Sequence, residues 1–359
     1  MAVLEAPSSG LTRGPRRRSL WVLALAALVA LAAALSAAFG SYAVSLRDAM
    51  AVLLNALGLS IALQDEGATA VLLVARWPRV LLGSLVGASL GVAGAVMQGV
   101  FRNPLADPGL CGVSSGAALG AVLMLVFGGA LGPSVPPWLA PYLVTLGSFV
   151  GGVAAVLLVV KMASHGGRTS TMGLVLGGVA VSAIGGAAIG WLTFLATDAQ
   201  LRSITFWSLG SLGNATWKST AAALPLFLIP LVLAPTLARA LDALLLGEAE
   251  AGHLGFRVER IRRLALVVAT LSVGTSVALC GAIGFVGLVA PHLARMLVGA
   301  LHRHVLPASA LLGAALLLAA DLAARVLVAP AELPLGVVTA TLGAPVFLAL
   351  LRGVLRGAP

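Results

Sequence analysis

Long apolar runs joined by short polar connections fill almost the whole chain. Runs long enough to cross a bilayer, about 20 residues, occur at 20–39, 80–101, 109–129, 139–161, 172–196, 218–240, 263–282, 284–300, 305–325 and 335–351. The pattern predicts an all-α polytopic membrane protein with ten transmembrane helices over 20–356, preceded by a basic, cytoplasmic N-terminal segment at 1–19. Residues 46–63 are apolar but interrupted by Arg47, Asp48 and Asn55, which predicts an external interfacial helix. Residues 197–218 carry Asp198, Arg202, Trp207 and Trp217, which predicts an external re-entrant or interfacial helix with an aromatic belt. In 241–263, Glu248 and Glu250 precede the basic group from Arg257 to Arg263. That order fits a short amphipathic helix lying along the inner face, or a solvated loop.

One break is sharper than the others. Gln98-Gly-Val-Phe-Arg-Asn-Pro-Leu-Ala-Asp-Pro-Gly109 places a cation, two amides, an acid and two prolines between apolar runs. Each proline removes a backbone donor and pushes the preceding residue out of helical geometry. Freed backbone groups near membrane depth need protein or water partners, so this turn is expected to belong to a transport pathway.

Composition and charge narrow the class. Of 359 residues, 60% are hydrophobic and 9% charged, against about 25% charged in soluble domains. No polar stretch is long enough for a separate soluble domain, and 43 glycines suit close helix packing. The net charge of +10 is spread through the connections; nucleic-acid binding would gather it on one face. With both termini cytoplasmic, sixteen of the 22 Lys and Arg fall inside, and Arg47, Arg76, Arg79, Arg202, Lys218 and Arg325 fall outside. This is a positive-inside bias.

Enzyme motifs are missing. The sequence has no Gly-x-x-x-x-Gly-Lys-Ser/Thr, no His-Glu-x-x-His and no Gly-x-Ser-x-Gly. It also has no Cys-x-x-Cys-His for covalent haem attachment. The five histidines are expected to be solvated or to cap helices, and Cys111 and Cys280 to be buried thiols. Neither a catalytic residue nor a metal site is expected. The polar residues near span ends say more. Arg76-Trp-Pro-Arg79 stands at the external entrance of the second span, while Asp321 and Arg325 share a helix face at i,i+4. Three external cations run against the charge bias, so Arg76, Arg79 and Arg325 are expected to form a docking surface. Gly284, Gly287 and Pro291 combine a tight turn with an expected kink, which suits a hinge.

In order along the chain, these segments resemble the FecCD-type permeases of ABC importers, which move iron-siderophores, haem and cobalamin. The matching segments are Arg76-Trp-Pro-Arg79; the 87–98 helix; Arg102-Asn-Pro-Leu-Ala-Asp-Pro-Gly109; Trp207-Ser-Leu-Gly210; Leu246-Gly-Glu-Ala-Glu-Ala-Gly-His-Leu-Gly255; Gly284-Phe-Val-Gly-Leu-Val-Ala-Pro-His292; Asp321; Arg325; Glu332-Leu-Pro-Leu-Gly336; and Gly343-Ala-Pro-Val-Phe347. The resemblance leaves out only about the first 70 residues. It implies a fold like the transmembrane domain of the family's importers, in a multi-pass subunit of the bacterial inner membrane. It further implies a homodimer, two separate ATP-binding subunits carrying ATP and Mg, and a periplasmic binding protein.

By the same resemblance, Arg76, Arg79 and Arg325 match positions that receive the binding protein. Asn103, Leu105 and the turn at Thr171 match cytoplasmic gates. The segment at about 245–256, with Gly247, Glu248, Ala249, Gly252, Leu254 and Gly255, matches the coupling helix that docks on the ATPase. The run from Phe101 through Leu119 looks most like haem permeases, with siderophore or cobalamin as the alternative. An ion-coupled secondary transporter would need buried acids, of which the spans offer only Asp107 and Asp321.

Overall fold

In a computed structural model, residues 15–40, 44–56, 58–59, 61, 66–131 and 135–356 are described. Most of the N-terminal segment at 1–19 lies outside them. The helices are α1 (Pro15–Ala38), α2 (Leu46–Ala56), α3 (Glu66–Val71), α4 (Trp77–Phe101), α5 (Val113–Leu131), α6 (Leu143–Ala163), α7 (Thr171–Leu195), α8 (Asp198–Leu209), α9 (Trp217–Leu233), α10 (Ala238–Leu246), α11 (Glu248–His253), α12 (Val258–Cys280), α13 (Val286–Val298), α14 (His302–Val326) and α15 (Leu335–Arg356). Between α6 and α7, the strands β1 (Ser164–His165) and β2 (Arg168–Thr169) pair as a small antiparallel hairpin.

The ten predicted spans each coincide with an apolar helix. Among the described residues, eight are long enough to cross a membrane, and Val286–Val298 and Leu335–Ala349 are shorter apolar helices. The second span begins earlier than its pattern indicated. It runs continuously over Gly67–Phe101, so Arg76-Trp-Pro-Arg79 lies within a helix and not at its mouth. A π-helical turn at Leu72–Arg76 makes this possible, with the Trp77 N–H reaching back to the Leu72 carbonyl. The wider turn makes room ahead of Pro78, whose ring would otherwise press on the carbonyl four residues back.

The 67–101 helix is the centre of the packing. Its most apolar window is 78% buried, against 22% for the corresponding windows of α1 and α7. It touches α9, α12, α13 and α14, and glycines set how near they come. A Cβ on Gly87 would lie 2.3 Å from the Gly313 carbonyl oxygen on α14. One on Gly94 would lie 1.8 Å from the Gly287 carbonyl oxygen on α13. Backbones this close exclude any side chain at those positions, the packing that apolar spans use where burial from water gives no drive. By contrast, α7 shows lipid or a partner a row of large side chains, including Met172, Ile184, Trp191 and Phe194.

The segments expected to be external also form helices. α8 starts at a capping box in which Thr197 and Gln200 satisfy each other's backbone N–H groups. The 241–263 connection folds as the end of α10 and the six-residue α11, the latter entered through Gly247 at φ 132°. Only a glycine takes that conformation without strain.

Candidate functional site

Polar residues collect at both ends of α12. The 23 residues of α12 span about 34 Å at 1.5 Å per residue, so the two clusters are separated by most of a membrane's thickness.

At one end, Asp321 is buried between two cations. Arg79 Nε donates to it at 3.0 Å, and Arg325 Nε at 3.1 Å. Arg79 also forks onto Glu332, with Nη1 and Nη2 at 3.0 and 2.9 Å from its two oxygens. Arg325 donates onward to the carbonyls of Phe39 and Ser36 and to the Ser36 hydroxyl, while Arg76 donates to the carbonyls of Ala37 and Ala38. Those carbonyls end α1, and cations at a helix C-terminus satisfy its orphan acceptors.

Two of the three cations expected to form a docking surface are less accessible than their place near span ends suggests. Arg76 and Arg325 are 6% and 7% exposed, held inward by the end of α1. The three still converge, because Arg76, Arg79, Arg325 and Glu332 line one cleft of about 140 Å³. Next to it is a larger cavity of about 720 Å³, lined by Tyr142, Phe206, Trp207, Asn214, Cys280 and Glu332 among others, and by no histidine.

At the other end, Glu248, the first residue of α11, accepts from Arg262 Nη2 at 2.8 Å. The Thr171 hydroxyl, at the start of α7, lies 3.4 Å from the same oxygen. The structure thus brings together one residue expected in the coupling segment and one expected at a gate. Gly247, Ala249, Gly252, Leu254 and Gly255 surround Glu248 in chain order, and all but the half-buried Gly247 are exposed.

The Gln98–Gly109 break is built locally. Arg102 closes α4 in the left-handed conformation, its N–H bonding to Gly99, and the Asn103 N–H reaches Gln98. This is a Schellman ending with an arginine where glycine is usual. The Asn103 side chain accepts from the Leu105 N–H at 2.9 Å, and Asp107 accepts from Gly109 at 2.7 Å. Burial pushes the Asp107 carboxyl above the usual carboxylate range, against the opposing pull of that N–H. Among the described residues no hydrogen bond joins Asn103 or Leu105 to Thr171. The break meets α7 further along, where a Cβ on Gly178 would lie 1.8 Å from the Leu110 carbonyl oxygen.

The three residues expected as a hinge differ from one another. Gly287 is crowded, since a Cβ there would come within 2.7 Å of Pro108. Gly284 faces open space, and Pro291 is buried inside α13. Between the glycines, Phe285 takes a left-handed φ of 67° and sets its ring edge-on to Phe347.

Several site residues carry no sequence signal. Arg262 and Glu248 lie on different helices, α12 and α11, so their spacing in the sequence implies no contact. Gln98 accepts from Arg295, and Asp242 accepts from both the backbone N–H and the ring of His302. His302, expected to be solvated or to cap a helix, is 1% exposed at the start of α14. Both cysteines are free and buried. With Cys280, which lines the larger cavity, replaced by Ser, a maleimide should leave Cys111 unlabelled over minutes in the native protein and modify it after denaturation; rapid native labelling would contradict its placement.

These features, ten apolar helices among the described residues, one of them a glycine-lined central span, with polar clusters at both ends of α12, define a multi-pass membrane protein. Residues 27–353 match the model of the FecCD transport family. The hemin transport system permease protein HmuU of Yersinia pestis is 46% identical over 276 residues, 77% of this chain and 81% of that one. The vitamin B12 import system permease BtuC of Shigella boydii is 39% identical over 343 residues, 95% and 98% of the two chains. A solved inward-facing structure of a metal-chelate type ABC transporter superposes with a TM-score of 0.80 at 33% identity, covering 93% and 99% of the two chains. This chain belongs to the FecCD family. It is a permease subunit of an ABC importer.

Proposed function

We propose that the chain carries haem across the bacterial inner membrane, as a homodimer coupled to two ATP-binding subunits and supplied by a periplasmic binding protein. The observation that carries this reading is the placement of the two clusters. An arginine-lined cleft stands at one end of the helices, and an exposed acidic turn at the other. The cleft, lined by Arg76, Arg79 and Arg325 beside Glu332, has room for an acidic side chain of the binding protein. Glu248, Ala249, Gly252 and Leu254 offer a surface to the ATPase, whose ATP and Mg complete the machinery in trans. The exposed apolar row on α7 is the face a second copy would cover, and Asn103, Leu105 and Thr171 stand at the cytoplasmic exit. On this reading both termini are cytoplasmic, and Gly284, Gly287 and Pro291 form the moving element beside the exit.

Haem is favoured by the run from Phe101 through Leu119 and by the identity to the Yersinia hemin permease. Passage through a cavity without histidine suits release, since a fixed iron ligand would hold the cargo. Cobalamin is the second reading, supported by the cobalamin permeases at 42% and 39% identity. With the complex and binding protein in proteoliposomes, haem should stimulate ATP hydrolysis several-fold more than cobalamin or a ferric siderophore. Stimulation by cobalamin alone would replace haem with the second reading.

A further inference from the structure

Arg262 has a place in the structure that none of the assigned roles uses. It lies one turn into α12 and its side chain is 6% exposed, whereas that of its neighbour Arg263 is 68% exposed. Its guanidinium reaches three elements at once. Nη1 donates to Glu259 on its own helix at 2.9 Å. Nη2 donates to Glu248 on α11 at 2.8 Å and to the Thr171 hydroxyl on α7 at 3.2 Å. Glu259 extends the set to the β-hairpin, accepting from both the N–H and the hydroxyl of Thr169. Both contacts to Glu248 use Oε1, which leaves Oε2 for a donor on a partner.

We propose that Arg262 is a positioning residue for transport, a strut that makes α11, the hairpin and the start of α7 move as one body. The proposal rests on the reading of α11 as the segment that docks on the ATPase. A planar guanidinium holds several acceptors in a fixed geometry that an ammonium cannot reproduce. Withdrawing Glu248 from it would leave a buried cation short of a partner, which is strongly unfavourable. A displacement of α11 by the ATPase is therefore passed to Thr171 in preference to breaking the cluster. Without the strut, α11 moves and the exit stays as it was.

The test uses the complete complex in proteoliposomes, transporting whichever compound stimulates hydrolysis. Spin labels on cysteines replacing the exposed Arg168 and His253 report the distance between the hairpin and α11. In Arg262→Gln, import per ATP hydrolysed should fall by at least about fivefold, the lower end of usual coupling between sites, and the distance distribution should broaden. Arg262→Lys should show a smaller fall, because it keeps the charge and loses the fork. Wild-type import per ATP with an unbroadened distance in Arg262→Gln would overturn the proposal. If that variant does not assemble, the same result in Arg262→Lys would overturn it. Failure of the unmodified chain to bind the ATPase would instead remove the docking role of α11, and the strut with it.

Discussion

Replacing Asp321 with Asn should cost the folded protein about 3–5 kcal/mol, the usual penalty for removing one partner of a buried ion pair. Its carboxylate is 1% exposed and stands between Arg79 and Arg325. Without it Arg79 keeps Glu332, whose side chain is 46% exposed. Among the described residues Arg325 keeps only the carbonyls at the end of α1 and the Ser36 hydroxyl. The loss should appear as a lower temperature at which the detergent-purified subunit aggregates. Adding Arg325→Met to Asp321→Asn should restore part of the stability by removing the stranded cation. Recovery would be incomplete, because Arg325 also ties down the end of α1. A single Asp321→Asn as heat-stable as the native chain would show that the cluster is hydrated and weakly coupled. It also follows that reversing Arg76 or Arg325 to Glu would unpick α1 before it tested docking, so Arg79 and Glu332 are the better probes of a binding protein.

Gly94→Val should have an effect at least as large. Even a Cβ at this position would meet the Gly287 carbonyl oxygen at 1.8 Å, far inside any van der Waals contact. The atom in the way is backbone, so relief requires α4 and α13 to separate. Overpacking a core commonly costs about 1–3 kcal/mol when side chains can shift, and here they cannot. The variant should yield little folded protein on size-exclusion chromatography. Gly284→Ala provides the contrast, since nothing lies within 4 Å of the added methyl. Equal yields for the two variants would mean that the α4–α13 contact does not limit folding.

Much of the architecture was legible in the sequence. Lipid imposes long apolar runs and keeps most cations in the connections between them, and both regularities survive whatever the helices do to one another. The 98–109 break was equally readable, because two prolines and four polar side chains cannot continue an apolar helix. Glu248 and Thr171 were picked out by resemblance, but nothing in the spacing joined them. The early start of the second span was hidden too. Pro78 reads as an entrance, and only the π-helical turn before it lets the helix run through.

The burial of the arginines shows where local reading ends. A cation at a predicted helix mouth is expected to face water, and Arg76 and Arg325 would do so if α1 ended elsewhere. Its terminal carbonyls, more than 280 residues from Arg325 in the chain, turn both side chains inward. The order of the apolar helices and the site of the non-helical break after α4 were determined by the sequence alone, because each depends on the solvent that a segment meets. Tertiary structure decided which charges are committed within the chain, which glycines are indispensable and how Glu248 is joined to Thr171. Those outcomes depend on distances of a few ångströms between segments remote in sequence, and no local pattern encodes them.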